Sequence, residues 1–77
     1  MAAKAFILVE TEVGKKIKEI VKEISDEEGI NEVYTVTGPY DIIAVIEKET
    51  LSDIGDLVTT RIHAIKGVAR TVTCLVV

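Results

Sequence analysis

The chain has one cysteine, one proline, one histidine and no tryptophan, and its aromatic content is two tyrosines and one phenylalanine. Each scarcity excludes something. The lone Cys74 has no partner for an internal disulfide, and a cysteine-based zinc or iron–sulfur site is out. A reduced, intracellular and cytoplasmic setting is expected from that cysteine usage. The single His63 sits beside Ile62 with no Cys–His pair near it in sequence, so no catalytic triad can be drawn. With one proline, 48% hydrophobic and 29% charged residues, the chain is not disordered. No apolar run approaches the roughly 18–20 residues of a membrane-crossing helix. The start, Met1-Ala2-Ala3-Lys4, leads into an apolar run too short for a signal core. The net charge is −4, from 9 Lys and Arg against 13 Asp and Glu. That sign argues against non-specific nucleic-acid binding, which runs on phosphate neutralisation.

What is present is apolar surface in a small frame. Seventy-seven residues make one domain. A chain of this size buries only about 60% of its unfolded surface and is marginal as a monomer. Nearly half its residues are nevertheless apolar, so a homo-oligomer is expected before any motif is considered.

The pattern along the chain alternates between two periods. Ala5-Phe6-Ile7-Leu8-Val9 has strand length. Thr11 is placed to cap a following helix, whose apolar stripe is Val13, Ile17, Ile20, Val21 and Ile24. Its other face is charged and reads as solvated. Gly29 suits the helix end. Residues 30–37 are rich in β-branched and aromatic types and read as a strand. Gly38-Pro39-Tyr40-Asp41 is a turn signal, and Ile42-Ile43-Ala44-Val45-Ile46 completes a hairpin. Thr50 and Asp53 suit a helix start. Leu51, Ile54, Val58, Ile62 and Ile65 form the next stripe, Gly67 closes it, and residues 68–77 are a last strand.

The order β-α-β-β-α-β predicts an α+β, ferredoxin-like sandwich: a four-stranded antiparallel sheet with both helices on one face. Its uncovered face should then alternate to polar residues. It does not. Phe6 and Leu8 oppose Ala5, Ile7 and Val9, while Ile43 and Val45 oppose Ile42, Ala44 and Ile46. The open face is expected to meet a second copy, sheet on sheet.

Two stretches carry candidate chemistry. In the turn, Gly38 permits positive φ and Pro39 fixes the next φ, so backbone groups can be aimed. Tyr40 adds an aromatic body with a polar tip, and Asp41 an acceptor-only carboxylate. Together they can receive the ammonium and carboxylate of a free amino acid. Alternatively Asp41 caps its own turn and Tyr40 is core. In the last strand, Thr71 and Thr73 share a face on an otherwise apolar run. They can bind a ligand or meet Thr35 or Thr37 across the sheet. Cys74 reads as a buried structural thiol. No phosphate loop and no convergent acid, histidine or cofactor group is present, so neither an enzyme nor a metal or cofactor is expected.

Residues 36–41, with the pattern Val-Thr-Gly-Pro-Tyr-Asp, resemble the effector domain of the Lrp/AsnC family of transcription regulators. So does Gly67-Val68 followed by Thr71 and Thr73. That domain is also called the RAM domain, and it is related in form to ACT-like folds. The similarity covers essentially the whole chain. It implies dimers that pair through their sheets and assemble into rings, often octamers, with small amino-acid effectors held between dimers. Carried over, Gly38, Tyr40 and Asp41 of the turn and Thr71 and Thr73 of the last strand would hold the ligand. Full-length members carry a helix-turn-helix DNA-binding domain, whereas residues 1–77 read as a single effector domain without it. The expectation is therefore a stand-alone RAM protein that binds a free amino acid. It would act by co-assembling with full-length Lrp/AsnC regulators, with no direct nucleic-acid contact and no membrane. A purely structural oligomer with no small-molecule ligand is the other reading.

Overall fold

A computed structural model describes residues 2–77. The elements run β1 (Ala3–Thr11), α1 (Ile17–Ser25), β2 (Ile30–Thr35), β3 (Ile42–Lys48), α2 (Leu51–Leu57) and β4 (Val68–Leu75), with α2 continuing as a π-helical stretch over Val58–Ile62. The strands order as β2-β3-β1-β4, each neighbouring pair antiparallel. This is the expected ferredoxin-like β-α-β-β-α-β sandwich.

The period-two pattern of β1 and β3 decides which face the helices cover. Ala5, Ile7 and Val9 of β1 and Ile42, Ala44 and Ile46 of β3 form one fully buried layer. Against it pack Ile20 and Ile24 of α1, and Ile54, Leu57, Val58 and Ile62 of the second helix. Among the described residues no helix is long and apolar enough to cross a membrane.

The opposite face is as expected on the residues and sharper in register. Tyr34, Ile43, Leu8 and Val72 line up in one row across the four strands. Glu32, Val45, Phe6 and Cys74 form the next. Phe6, Tyr34 and Val72 stand 38%, 49% and 37% exposed. Cys74 is exposed, not buried, because it lies on this uncovered face of an edge strand. The Tyr34 hydroxyl donates to Glu32 at 2.5 Å, and that bond beside a carboxylate raises the phenol above its ordinary pKa.

Several boundaries differ from expectation for physical reasons. Thr11 does not cap α1. It is the last residue of β1, paired with Val68, and its backbone N–H donates to Asp41. Residues 12–16 form a separate turn, Val13 is fully exposed, and Lys16 precedes α1 without a side-chain cap. Likewise α1 ends at Ser25, with Asp26 as its cap, so Gly29 lies in the following turn. Strand β2 stops at Thr35, its last residue paired with Ile42, and the Val36 N–H donates to the Asp41 carbonyl at 2.8 Å, closing a longer connection than the four residues expected. Strand β4 ends at Leu75. Thr71 and Thr73 cannot meet Thr35 or Thr37, because β2 and β4 are opposite edges of the sheet.

The Thr50 hydroxyl does accept from the Asp53 N–H at 3.1 Å, as a helix start requires. Within that helix the Thr59 hydroxyl donates to the Gly55 carbonyl at 2.9 Å, and Thr60 donates to that of Asp56. Side chains bonding back to these carbonyls compete with the helical ladder. The turn widens there, and the His63 N–H reaches the Val58 carbonyl, five residues back, at 3.0 Å.

Gly67 closes the connection into β4 with φ of +103°, and its carbonyl accepts from the Glu12 N–H at 2.7 Å. A Cβ there would stand 2.8 Å from the Ile20 Cδ1. Gly67→Ala is expected to lower stability by about 1–2 kcal/mol, mainly through the left-handed backbone. Denaturant unfolding at fixed protein concentration checks this, and an unchanged midpoint would show that the connection relaxes freely.

Candidate functional site

Asp41 is the best-fixed of the candidate residues. It lies where β3 begins beside the end of β1, and its N–H donates to the Val9 carbonyl at 2.9 Å. Its Oδ2 accepts twice from Thr11, from the backbone N–H at 2.8 Å and from the hydroxyl at 3.0 Å. It therefore joins β3 to β1 across the sheet end and does not cap its own turn. Charge-assisted bonds of this kind are stronger than neutral ones.

Tyr40, half-buried, does not enter the core. Its ring lies 5.6 Å from the guanidinium carbon of Arg70. Arg70 in turn forms an ion pair with Glu10 at 3.2 Å. Glu10 and Arg70 face each other in register, so they share the open face of the sheet. The turn and the start of β4 thus meet around the end of β1. Gly38 is at the turn tip with φ of +131°, where an added Cβ would meet nothing within 4 Å.

Thr71 and Thr73 lie opposite Val9 and Ile7, so both belong to the helix-covered face. Thr71 bonds His63 through Oγ1 and Nε2 at 2.8 Å. Thr73 is exposed and lines a groove of about 250 Å³ between α2 and β4. Tyr40, Asp41 and Thr71 accordingly gather at one end of the sheet, on its two faces. Gly38 stands outward at the tip, and Thr73 lies two residues along β4 away from that end.

Sequence reasoning missed two partners. Arg70 had a signal, being the one cation on β4 and next to Thr71. His63 had none in the helical period, because the widened turn sets its place beside β4. Among the described residues, no three or more His, Cys, Asp or Glu side chains converge as for a metal ion. A concavity of about 580 Å³ lies elsewhere, along Lys15 and Lys16 before α1, Lys22 of α1 and Lys66. Glu19 and Glu23 interleave with those lysines, and Lys16 pairs with Glu19 at 3.8 Å, so it is a solvated mixed-charge surface.

A family model described as the Lrp/AsnC ligand binding domain matches residues 4–77. The chain belongs to the Lrp/AsnC ligand-binding family. An uncharacterized HTH-type transcriptional regulator of Pyrococcus furiosus is 32% identical over 71 residues, which cover 90% of this chain and 47% of that protein. The chain thus spans about half the length of the curated relative. A crystal structure of a Thermus thermophilus protein superposes with a TM-score of 0.91 at 33% identity, covering 97% of this chain and 92% of that one. A Neisseria meningitidis transcriptional regulator, solved as an L-Met complex, superposes with a TM-score of 0.88 at 17% identity over 97% of this chain and 49% of its own. At that identity the likeness is one of fold. The Pyrococcus furiosus relative and the Neisseria meningitidis protein are both described as transcriptional regulators.

In this Lrp/AsnC domain the Thr11–Asp41 contact is expected to be energetically coupled. A double-mutant cycle of Thr11→Val and Asp41→Ala should give an interaction term of about 0.5–3 kcal/mol in denaturant unfolding. Strict additivity would show that the hydroxyl bond adds nothing to the backbone bond between Thr11 and Asp41.

Proposed function

We propose that this domain binds a free amino acid as its effector and self-assembles through its open sheet face. We further propose that it modulates transcription by co-assembling with full-length Lrp/AsnC regulators. The observation that carries the reading is the meeting of the turn with the start of β4. Arg70, Glu10, Tyr40 and Asp41 bring both signs of charge and an aromatic surface to one end of the sheet. A guanidinium suits a carboxylate, and a carboxylate suits an ammonium. Those are the two ends of every free amino acid. The L-Met complex of the Neisseria meningitidis regulator, which shares the fold, supports the ligand class.

Self-assembly follows from the two apolar rows on the open face. Sheets stacked face to face lie about 10 Å apart and interdigitate their side chains. Ring assembly, for example into an octamer, extends the same pairing. Co-assembly with a full-length regulator uses surfaces the two chains have in common, and shifts that regulator between assembly states without this chain touching DNA.

One observation favours the other reading, a structural oligomer with no ligand. The Asp41 carboxylate already has Thr11 as a partner. Calorimetric titration of pooled amino acids into protein of known assembly mass decides between them. Binding that is lost in Asp41→Ala and kept in Thr11→Val is the expected result, since Thr11→Val spares the carboxylate. No binding by the intact assembly favours the structural oligomer. Gel-shift titration of a full-length regulator tests co-assembly, and an unchanged DNA affinity and assembly size would refute it.

The open face has its own test. Leu8→Glu places a charge in the middle of the Tyr34–Ile43–Leu8–Val72 row. It is expected to reduce the mass seen by light scattering to that of the monomer, with the circular dichroism spectrum kept. An unchanged mass would remove the open face from the assembly.

A further inference from the structure

We infer that the free edge of β4 docks an extended peptide segment of a partner protein, with an uncharged aliphatic side chain of that segment seated between α2 and β4. The inference is independent of the amino-acid reading above. The Val76 N–H donates to the Lys4 carbonyl at 2.9 Å, in the same register that pairs Phe6 with Cys74 and Leu8 with Val72. In an antiparallel ladder the backbone groups of successive residues point to alternate sides. Val72, Cys74 and Val76 therefore direct theirs to β1, and the N–H and C=O groups of Thr71, Thr73 and Leu75 point out of the sheet. Strand β4 is outermost, so among the described residues no strand meets that row. An extended main chain is the partner whose donors and acceptors repeat at the same spacing, about 6–7 Å for every second residue.

The two edges of the sheet differ. On β2 the register shifts between Ile30 and Glu32, Asn31 bonds Glu47, and Glu32 accepts from Tyr34. Irregularity and charge of this kind protect an edge from added strands. On β4 the register is regular from Arg70 to Leu75, and residues 71–77 carry no charge and no proline. Thr71, Thr73 and Leu75 have their side chains on the helix-covered face, opposite Val9, Ile7 and Ala5. Residues directly opposite in an antiparallel pair share a face. An added strand would therefore exchange hydrogen bonds through the same residues that it turns toward the helices. Beside Thr73 and Leu75 those residues meet a groove of about 250 Å³, walled on the other side by Leu51, Ile54, Gly55 and Val58. No charged side chain lines it, and Leu51 and Leu75 stand 58% and 47% exposed. Gly55 leaves room, since an added Cβ there would meet nothing within 4 Å. The groove is smaller than the roughly 300–1,000 Å³ of sites for drug-sized ligands, so it suits a side chain. A charged side chain would lose hydration there without gaining a partner, which selects an uncharged one. Main-chain bonds along β4 would supply affinity, and the groove the choice of side chain.

The probe for the test is a capped seven-residue peptide with a central leucine, two threonines on each side of it and a lysine at each end. Amide NMR and hydrogen exchange read its position, and fluorescence anisotropy of a labelled copy reads its affinity. Shifts and added exchange protection are expected at Thr71, Thr73 and Leu75. Methylating the leucine nitrogen, which faces β4, should weaken binding about fivefold, the value of one hydrogen bond. Methylating the nitrogen of the next threonine, which faces away, should leave affinity unchanged. Replacing the leucine by alanine should weaken binding about tenfold in wild type and not in Gly55→Leu, whose side chain fills the groove. Thr73→Pro removes one outward N–H and spares the ladder to β1, so it should weaken binding as the methylated leucine does. The peptide-side changes keep the edge testable whether or not either variant folds. No binding, or affinity indifferent to which nitrogen is methylated, overturns the docking edge. Shifts confined to Leu8, Ile43 and Val72 also overturn it, the peptide then lying on the open face. An unchanged leucine-to-alanine ratio in Gly55→Leu overturns the groove as the side-chain pocket. Protection of the Thr73 and Leu75 amides in peptide-free protein, relieved on dilution, overturns the foreign partner in favour of a second copy.

Discussion

The hydrogen bonding of β1 on both of its sides is the constraint from which the other features follow. With β3 along one edge and β4 along the other, β1 is fixed as a central strand. Its alternate residues must then serve two apolar environments. Ala5, Ile7 and Val9 are wholly buried under the helices, and Phe6 and Leu8 lie on the opposite face. Because register is exact in a paired strand, the same alternation is imposed on β3 and β4. The helix-covered core and the two apolar rows of the open face are one pattern seen from two sides. The end of β1 has the same consequence for chemistry. Asp41 bonds Val9 and Thr11, and Thr71 lies opposite Val9, so the turn and β4 meet only because β1 runs between them.

Much of this was legible in the sequence, because period two and period 3.6 are local properties. Strand and helix order followed from them, as did the two-faced apolar character of Ala5 to Val9. What was not legible depended on residues far apart in the chain. Thr11 has the chemistry of a helix cap, and only the partner 30 residues away shows that it belongs to the sheet. Cys74 looks buried in a run of apolar residues until β4 is known to be an edge strand with one uncovered face. The pairing of Thr71 and Thr73 with Thr35 or Thr37 was plausible chemistry and failed on strand order alone. For the site, the residue types were readable, but the face each would occupy was not. Arg70 and His63 enter through register and a widened helix; Arg70 carried a signal as the one cation of β4, and His63 left none in the helical period.

The open face bears on stability as well as on assembly. A chain this short has little core to spare, and among the described residues the fourteen buried hydrophobic ones come almost entirely from one side of the sheet. Val45 is the exception, lying in the open-face row yet only 5% exposed between its neighbours. Covering Phe6, Leu8, Ile43 and Val72 would add a second apolar layer comparable in kind to the first. Assembly through that face, as proposed, would make folding and association depend on one another, and apparent stability would rise with protein concentration. The charged residues at the ends of the rows, Glu10 with Arg70 and Glu47 opposite Lys4, limit the apolar patch along the strands.

Strand β4 is where assembly, site and helix geometry meet. As an edge strand it has no neighbour beyond it, so both of its faces are reachable at the sheet end. Arg70 turns to the open face and meets Tyr40, while Thr71, one residue on, turns to the helices and meets His63. That second meeting requires the helix to be widened just before His63, and Thr59 and Thr60 supply the cause by bonding back to Gly55 and Asp56. Gly55 is thus involved twice, as the carbonyl that Thr59 engages and as the missing side chain that leaves the α2–β4 groove open. A single short segment, from Gly55 to His63, thus carries both the widened turn that brings His63 to Thr71 and the glycine beside the groove along β4.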